Sequence, residues 1–258
     1  MKTTTLCAFG SVILMQVASA SLVGSWAFDG DLTNRVLGGS ALTTVSDSGS
    51  AIVESYDSAM IGGETATVAN LARLGYNVTS GSGEQWLVMT NDASAPTSAW
   101  SLMMDINFDQ GFAGNYTSLF QTDTGNAGDG DSFIHSANGI GVSGDYAGTV
   151  AASEWNRITI TFDDSQLSYY INGSLVNQVT STADRFNVGS SLLILVDNGA
   201  ETSEALLNNL AFWDHTLSEV EVSGFGGASA DAIVPEPSAY AMLIGLAALG
   251  FSMIRRRS

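Results

Sequence analysis

Acidic and amide side chains crowd two glycine-containing stretches. Those of DTGNAGDGD are Asp123, Asn126, Asp129 and Asp131, and those of VDNGAETSE include Asp197, Asn198 and Glu201. Carboxylate and amide oxygens are hard ligands of the kind that Ca²⁺ takes in sets of six to eight. No Glu stands at the twelfth position, so the spacing is not that of an EF-hand loop. The pattern predicts a calcium site; the alternative is that Asp, Asn and Gly simply form turns.

Two tyrosines next to loops are candidates for binding a sugar. Tyr116 follows Gly114-Asn115 and Tyr146 follows Gly144-Asp145. Aromatic rings combine a large apolar face with a polar edge, which suits stacking on a sugar ring. The tryptophans fall in predicted strands or at their starts, where packing in a core is expected: Trp26, Trp86, Trp100, Trp155 and Trp213.

The charge of the chain is strongly negative. Residues 21–234 hold four arginines and 25 acidic residues, a net charge of −21. Such a body repels phosphate backbones, so nucleic acid is excluded as a partner, whereas cations and uncharged glycans stay compatible. Arg157 and Arg185 are rare cations here, and we expect each to form an internal ion pair, Arg185 with a nearby Asp. After the first twenty residues no cysteine remains, so no disulfide forms.

The elements that must position these residues are predicted to be strands. In RITITF, apolar residues alternate with threonine, which is typical of a half-buried strand. Asn172-Gly173 then predicts a tight hairpin, because a type I′ turn needs positive φ at both positions. Further strands are predicted at Leu22–Asp29, Gln85–Thr90, Trp100–Phe108, Thr117–Thr122, Ser191–Val196 and Ala205–Trp213. Ser218 and Glu221 form a capping-box pattern for one short helix ending near Gly224. Short strands at this spacing predict an all-β, two-sheet antiparallel sandwich.

Three stretches resemble the laminin-G-like, concanavalin A-type jelly roll. LVGSWAFDGDLTNR resembles the opening strand of that family, EWNRITITFDDSQLSYYINGSLV its central hairpin, and LNNLAFWDHTLSEVEV its closing strand and short helix. The resemblance covers about residues 21–227. It implies a jelly-roll sandwich, and relatives that bind Ca²⁺ at a sandwich edge favour the calcium interpretation.

Catalysis is not expected. Glucanases of the concanavalin A type place two glutamates and an aspartate on alternate residues of one strand, facing one cleft. MMDINFDQ offers Asp105 and Asp109, but Met103 stands where the nucleophilic glutamate would be needed. His135 and His215 lack a Ser or Cys partner in a recognisable motif, and we expect them on surface strands or turns.

Both ends of the chain have the pattern of targeting segments. MKTTTLCAFGSVILMQVASA has a basic start, an apolar centre and an A-x-A site at Ala18 and Ala20, which predicts a signal peptide cut after Ala20. The apolar run 239–254 is followed by arginines that stay cytoplasmic, so it predicts a transmembrane helix with the body outside. The terminal elements are, in order, Pro235, Glu236 and Pro237, the apolar run, and Arg255, Arg256 and Arg257.

That order resembles the PEP-CTERM sorting signal of Gram-negative bacteria. The resemblance implies an exosortase partner in the membrane that cuts near the Pro-Glu-Pro, and delivery to the cell surface or an exopolysaccharide-rich matrix. The predicted division is a signal peptide at 1–20, a jelly-roll domain at 21–232 and a sorting signal at 233–258. A non-catalytic module that binds glycan or matrix polymer, with or without calcium, is the first functional hypothesis. A purely structural matrix protein is the alternative, and a glycoside hydrolase is the third.

Overall fold

The computed structural model describes residues 21–46, 55–71, 85–93, 97–108, 116–123, 130–180, 185–196, 201 and 203–233. Two antiparallel sheets and one short helix make up the regular structure of this part of the chain, which confirms the predicted all-β sandwich. The strands are β1 (Leu22–Trp26), β2 (Thr43–Ser46), β3 (Ser55–Ile61), β4 (Glu64–Leu71), β5 (Gln85–Thr90), β6 (Trp100–Asn107), β7 (Tyr116–Gln121), β8 (Asp131–His135), β9 (Ile140–Val142), β10 (Asp145–Ala147), β11 (Trp155–Phe162), β12 (Gln166–Ile171), β13 (Ser174–Thr180), β14 (Ser191–Ile194) and β15 (Ala205–Trp213), and the helix is α1 (Glu219–Phe225).

The two sheets differ in strand order. The eight-stranded sheet runs β13-β12-β11-β6-β15-β4-β3, with β1 also pairing with β15. The seven-stranded sheet runs β10-β9-β8-β7-β14-β5-β2. Neighbours in these orders are often distant in sequence, so the position of a side chain in the fold depends on pairings that local sequence does not contain.

Large apolar side chains from both inner faces form one core. Trp100 lies at its centre: its ring centroid is 5.2 Å from that of Phe120 and 5.8 Å from that of Phe162, and its indole N–H donates to the Phe186 carbonyl at 2.8 Å. Burying one such side chain contributes about 1.5–3 kcal/mol. Trp26 and Trp213 are also buried, as predicted, whereas Trp155 is half-buried.

The predicted central hairpin is confirmed. Asn172 and Gly173 have φ values of 51° and 80°, so both occupy the left-handed region that a type I′ turn needs. The hairpin of β3 and β4 was not predicted, although Gly62 and Gly63 join its strands with φ values of 59° and 93°. The mostly exposed β3 carries no apolar alternation that would mark it as a strand.

Two predicted strands are too long. The first ends at Trp26 rather than Asp29, because Phe28 has a φ of 50° that breaks extended backbone. The strand predicted to reach Val196 ends at Ile194, because Leu195 has a φ of 58°. The other predicted strands agree with the structure to within one residue at each end, except that β11 begins at Trp155, two residues before the RITITF stretch. Buried residues with positive φ are held there by surrounding packing, since the left-handed region is unfavourable for bulky side chains.

The predicted capping box is confirmed at α1. The Ser218 hydroxyl accepts from the Glu221 N–H at 3.3 Å, and the Glu221 carboxylate accepts from the Ser218 N–H at 2.8 Å. The Ser218 hydroxyl also donates to Glu221 Oε2 at 2.7 Å, and this bond, together with that from the Ser218 N–H, holds the pKa of Glu221 below its ordinary value. The helix ends at Phe225, one residue beyond the predicted end, and Gly226 with a φ of 62° caps it.

Candidate ligand-binding face

The face of the seven-stranded sheet that points away from the core carries the candidate site. Along β8, Ile134 packs in the core and the Ser132 hydroxyl donates to the buried Tyr169 hydroxyl at 3.0 Å. Side chains alternate along a strand, so Phe133 and His135 lie on the opposite, outer face. Tyr116 on β7 is the register partner of His135 and therefore shares that face.

Four rings meet on this outer face and form what we call the aromatic cluster: Tyr116, Phe133, His135 and Tyr146. The Tyr116 ring centroid lies 5.1 Å from that of His135, 5.6 Å from that of Phe133 and 5.9 Å from that of Tyr146. The centroids of His135 and Tyr146 are 5.2 Å apart with the planes 31° from parallel. Tyr116, His135 and Tyr146 are half-buried, so each ring keeps part of its surface accessible. The structure thus brings together the two tyrosines that the sequence nominated.

The Tyr146 hydroxyl stays protonated across the physiological range. Burial raises its pKa to about 12, and the charges of Tyr116, Asp131 and Glu201 act in the same direction. Two carboxylates therefore lie close enough to influence this one hydroxyl. A neutral hydroxyl can both donate and accept, which is the hydrogen-bonding capacity that a sugar hydroxyl needs from its partner.

Arg185 supplies positive charge beside the cluster. Its Nη2 is 3.8 Å from Asp131 Oδ1 and 3.3 Å from the Ser143 hydroxyl, and its guanidinium carbon lies 4.8 Å from the Phe186 ring centroid. Both members of the Arg185–Asp131 pair are largely buried, with side chains 19% and 14% exposed. The expected ion pair of Arg185 is confirmed, but its partner Asp131 is distant in sequence rather than a nearby Asp.

Three residues that follow β14 contact β7 through hydrogen bonds: Val196, Glu201 and Ser203. The Ser118 N–H donates to the Glu201 carbonyl at 2.6 Å, and the Ser118 hydroxyl donates to the Val196 carbonyl at 2.7 Å. The Thr117 hydroxyl lies 2.7 Å from that of Ser203. These bonds fix Glu201 at the edge of the outer face, where its charge acts on Tyr146.

Part of the predicted calcium site can be placed. Asn126, Asp129, Asp197 and Asn198 lie outside the described residues. Asp123 follows β7, where its N–H donates to Gln121 Oε1 at 2.9 Å. Among the described residues, no three His, Cys, Asp or Glu side chains converge as a metal site. Asp131 is already beside the Arg185 guanidinium, so one predicted ligand fits a calcium ion poorly, and calcium binding stays a prediction.

The other residues that the sequence suggested for catalysis or ion pairing can be located in the structure where they are described. Asp105 is fully buried and accepts two hydrogen bonds from Arg157, at 2.7 and 2.6 Å, so it is one half of the internal ion pair expected of Arg157. His215 lies in the turn after β15, 3.5 Å from Asp214. Nothing is described of the Trp86 side chain or of Asp109. Phe133 and His135 were missed as members of a site, because only the β7–β8 register places them beside Tyr116.

A sequence-family profile described as "Concanavalin A-like lectin/glucanases superfamily", of the laminin-G type, matches residues 86–223. The match spans more than half of the chain. The chain belongs to this superfamily. The predicted jelly-roll class is thereby confirmed. A second profile, the PEP-CTERM protein-sorting motif, matches residues 234–257, which confirms that resemblance and indicates an exported, exosortase-processed protein.

Solved structures share the superfamily fold at low sequence identity. Domain 4 of AbnA, an extracellular arabinanase from Geobacillus stearothermophilus in complex with arabinotriose, aligns with a TM-score of 0.56 and 14% identity, covering 80% of this chain and 98% of that one. A Trypanosoma rangeli sialidase aligns with a TM-score of 0.52 and 14% identity, covering 78% and 32%. The receptor-binding domain of botulinum neurotoxin type G aligns with a TM-score of 0.51 and 16% identity, covering 80% and 50%. These likenesses establish the fold.

No curated protein matches the chain. In the part of the chain that the structure describes, no helix has the length and apolar character needed to cross a membrane. The predicted signal peptide with Ala18 and Ala20, the apolar run 239–254, and the sorting residues Pro235, Glu236, Pro237, Arg255, Arg256 and Arg257 lie outside the described residues.

Proposed function

We propose that this protein is a non-catalytic module of the bacterial cell surface that binds an uncharged glycan on the outer face of its seven-stranded sheet. Its sorting motif, at residues 234–257, supports export and exosortase processing. We propose that a membrane segment anchors the chain transiently before the body is released to the surface or its surrounding matrix.

The observation that carries the glycan proposal is the aromatic cluster. Tyr116 and Tyr146, with centroids 5.9 Å apart, keep part of their rings accessible on one face of a rigid sheet. Rigid strands hold the rings without the ordering cost that a loop would add on binding. The C–H groups of a pyranose can pack on these rings, while its hydroxyls can pair with the Tyr146 hydroxyl and with carboxylates at the edge.

The charge of the body selects among glycans. A net charge of −21 over residues 21–234 repels polymers rich in uronic or sialic acids. Glu201 adds negative charge close to the cluster, since it acts on the Tyr146 hydroxyl, whereas the charge of Asp131 is offset by Arg185 at 3.8 Å. A carboxylate accepts hydrogen bonds from neutral sugar hydroxyls, but it repels a sugar carboxylate. We therefore expect neutral polysaccharides as ligands. A relative in fold, the arabinanase domain, was solved with the neutral sugar arabinotriose.

The proposed experiment measures binding of the purified full chain to an array of neutral and acidic polysaccharides. Tyr116→Ala and Tyr146→Ala should each weaken binding to the best neutral ligand about tenfold, since losing one stacked ring costs about 1–1.5 kcal/mol. The matched control is Tyr170→Phe, because Tyr170 lies on the outer face of the other sheet and is 5% exposed. We expect Tyr170→Phe to bind like the wild type.

Two results would contradict the glycan proposal. One is full binding by both alanine variants, which would move the ligand away from the aromatic cluster. The other is a folded chain that binds no polysaccharide on the array, which would favour the alternative of a structural matrix protein without a small ligand. Release of sugar from any bound polymer would instead show a hydrolase.

A further inference from the structure

Residues 226–233 lie between the two profile matches, which end at 223 and begin at 234. We call this segment the strap. It follows α1 and crosses the outer face of the eight-stranded sheet, where Ile233 packs in an apolar cluster with Trp213 and Val222 and is 9% exposed. Neither match assigns the strap a role.

A row of polar side chains lies beneath the strap. Arg157 on β11, Asp105 on β6 and Asn209 on β15 are register partners across three neighbouring strands. We call these three residues the polar row. They are 4%, 0% and 1% exposed, and Asp105 accepts hydrogen bonds from both neighbours. A buried charged row is costly unless its hydrogen-bonding groups are satisfied.

The strap and the end of α1 complete that satisfaction. The Asn209 amide donates to the Asp231 carbonyl at 3.0 Å and to the Ser229 carbonyl at 3.2 Å, and the Ser229 N–H donates to Asp105 Oδ2 at 3.3 Å. The remaining Arg157 nitrogen donates to the Phe225 carbonyl at 2.7 Å.

Further contacts hold the strap on both sides of the row. The Asn208 amide, on β15, donates to the Ser229 carbonyl at 2.7 Å. The Ser25 hydroxyl, on β1, donates to the Ile233 carbonyl. The strap is thus bound at Ser229, Asp231 and Ile233 by polar side chains of three strands.

We propose that the strap is part of the folded body and is held there by the polar row. We further propose that no free linker separates the body from the sorting signal. Lifting the strap would remove the Ser229 N–H from Asp105 and both strap carbonyls from the buried Asn209 amide, so the strap stays bound while the sorting signal is recognised. Pro235 is two residues beyond Ile233, and two extended residues span about 7 Å. The sorting enzyme must therefore approach the strap face of the body, and the mature protein ends at or after Ile233.

The covalent step is the cleavage of one peptide bond beyond Ile233. The carbon–nitrogen bond breaks, the carbonyl carbon is taken up by water or by an acceptor amine, and the leaving nitrogen gains a proton. This inference rests on the sorting half of the proposed function and is independent of glycan binding.

Hydrogen exchange of the full chain, read by mass spectrometry, tests the strap. In the wild type, the amides of Gly226, Ser229 and Asp231, which donate hydrogen bonds, should exchange slowly. In Asn209→Ala they should exchange about tenfold faster or more, because bonds to a buried charged row are lost. The matched control is Asn177→Ala, since that amide also bridges two backbone carbonyls, of Ile140 and Asp145, far from the strap. Ser25→Ala, which removes the Ile233 contact, is the second variant if Asn209→Ala does not fold.

The mature C-terminus provides the second measurement. The protein purified from an exosortase-bearing host should end at or after Ile233, read from the mass of its C-terminal peptide. Fast exchange of the Ser229 and Asp231 amides in the wild type, or a mature end before Ile233, would overturn the inference. A chain that this host leaves uncut would contradict the sorting function, while the exchange rates would still decide whether the strap is part of the body.

Discussion

The two outer faces of the sandwich have opposite surroundings. The outer face of the eight-stranded sheet is covered by α1 and the strap, which enclose an apolar cluster and the polar row of Asp105, Arg157 and Asn209. The outer face of the seven-stranded sheet leaves Tyr116, His135 and Tyr146 half-buried. Both sheets alternate inward and outward side chains along their strands, yet the outer face of one sheet is covered by the chain and that of the other is accessible. We call them the closed face and the open face.

The difference lies in what satisfies the polar atoms. On the closed face, the end of α1 and the strap accept hydrogen bonds from Arg157 and Asn209 and donate one to Asp105. On the open face, the Tyr116 ring packs edge-on against Phe133 and His135 and is tilted against that of Tyr146, whose polar edge remains next to carboxylates. A face completed by the protein itself contributes stability, whereas a face with partly uncovered aromatic groups can bind an external molecule.

The largest expected effect comes from breaking the closed face. Arg157→Met removes the partner of the fully buried Asp105 and should lower the free energy of unfolding by about 3–5 kcal/mol, because an uncompensated charge stays in the core. The measurement is denaturant unfolding followed by tryptophan fluorescence. The surface control is Arg35→Met, whose partner Asp29 is about half exposed, and it should change stability by about 1 kcal/mol or less. Equal losses in the two variants would contradict the claim that losing Arg157 leaves an uncompensated charge beneath the closed face.

Alkaline pH should lower the stability of the folded protein through a tyrosine on each face. Burial raises the pKa of Tyr170 on the closed face, and it raises that of Tyr146 on the open face to about 12, from an ordinary value of 10. Above pH 10 the unfolded chain releases these protons more readily than the folded chain, so stability falls as the pH rises from 10 towards 12. Thermal unfolding across this range should show a falling midpoint. Tyr146→Phe should reduce the decrease of the midpoint with pH. A midpoint that does not change up to pH 12 would contradict the raised pKa values of these hydroxyls.

The smallest expected effect is that of calcium removal on the open face. Arg185 already stands 3.8 Å from Asp131, so we expect a chelator to change glycan affinity less than about twofold, which corresponds to less than about 0.5 kcal/mol. The measurement is binding to the same polysaccharide with and without chelator, with magnesium present in both samples. Loss of binding that calcium alone restores would instead support the site predicted around Asp123, Asn126, Asp129, Asp131, Asp197 and Glu201.

Local chemistry in the sequence predicted much of the fold. Asn172-Gly173 predicted a turn whose φ values the structure confirms, and Ser218 with Glu221 predicted the start of α1. The polar-rich β3 could not be found in the same way, because its side chains are mostly exposed and carry little apolar alternation.

The site was harder to predict, because it depends on pairings between distant strands. Tyr116 and Tyr146 could each be nominated from the sequence. His135 and Phe133 join the aromatic cluster only through the β7–β8 register, which is irregular between Ser118 and Phe120. Asp105 was considered as a catalytic carboxylate. Its place opposite both Arg157 and Asn209 follows from two pairings that span 52 and 104 residues of sequence.

The contact between Ser25 and Ile233 joins residues 208 positions apart. Asp105, Arg157 and Asn209 all precede Ser229 and Asp231 in the chain, so the hydrogen bonds of the polar row are completed only by the residues just before the sorting motif. The amino-terminal strand and the carboxy-terminal edge of the body therefore have to be present together before the closed face is finished.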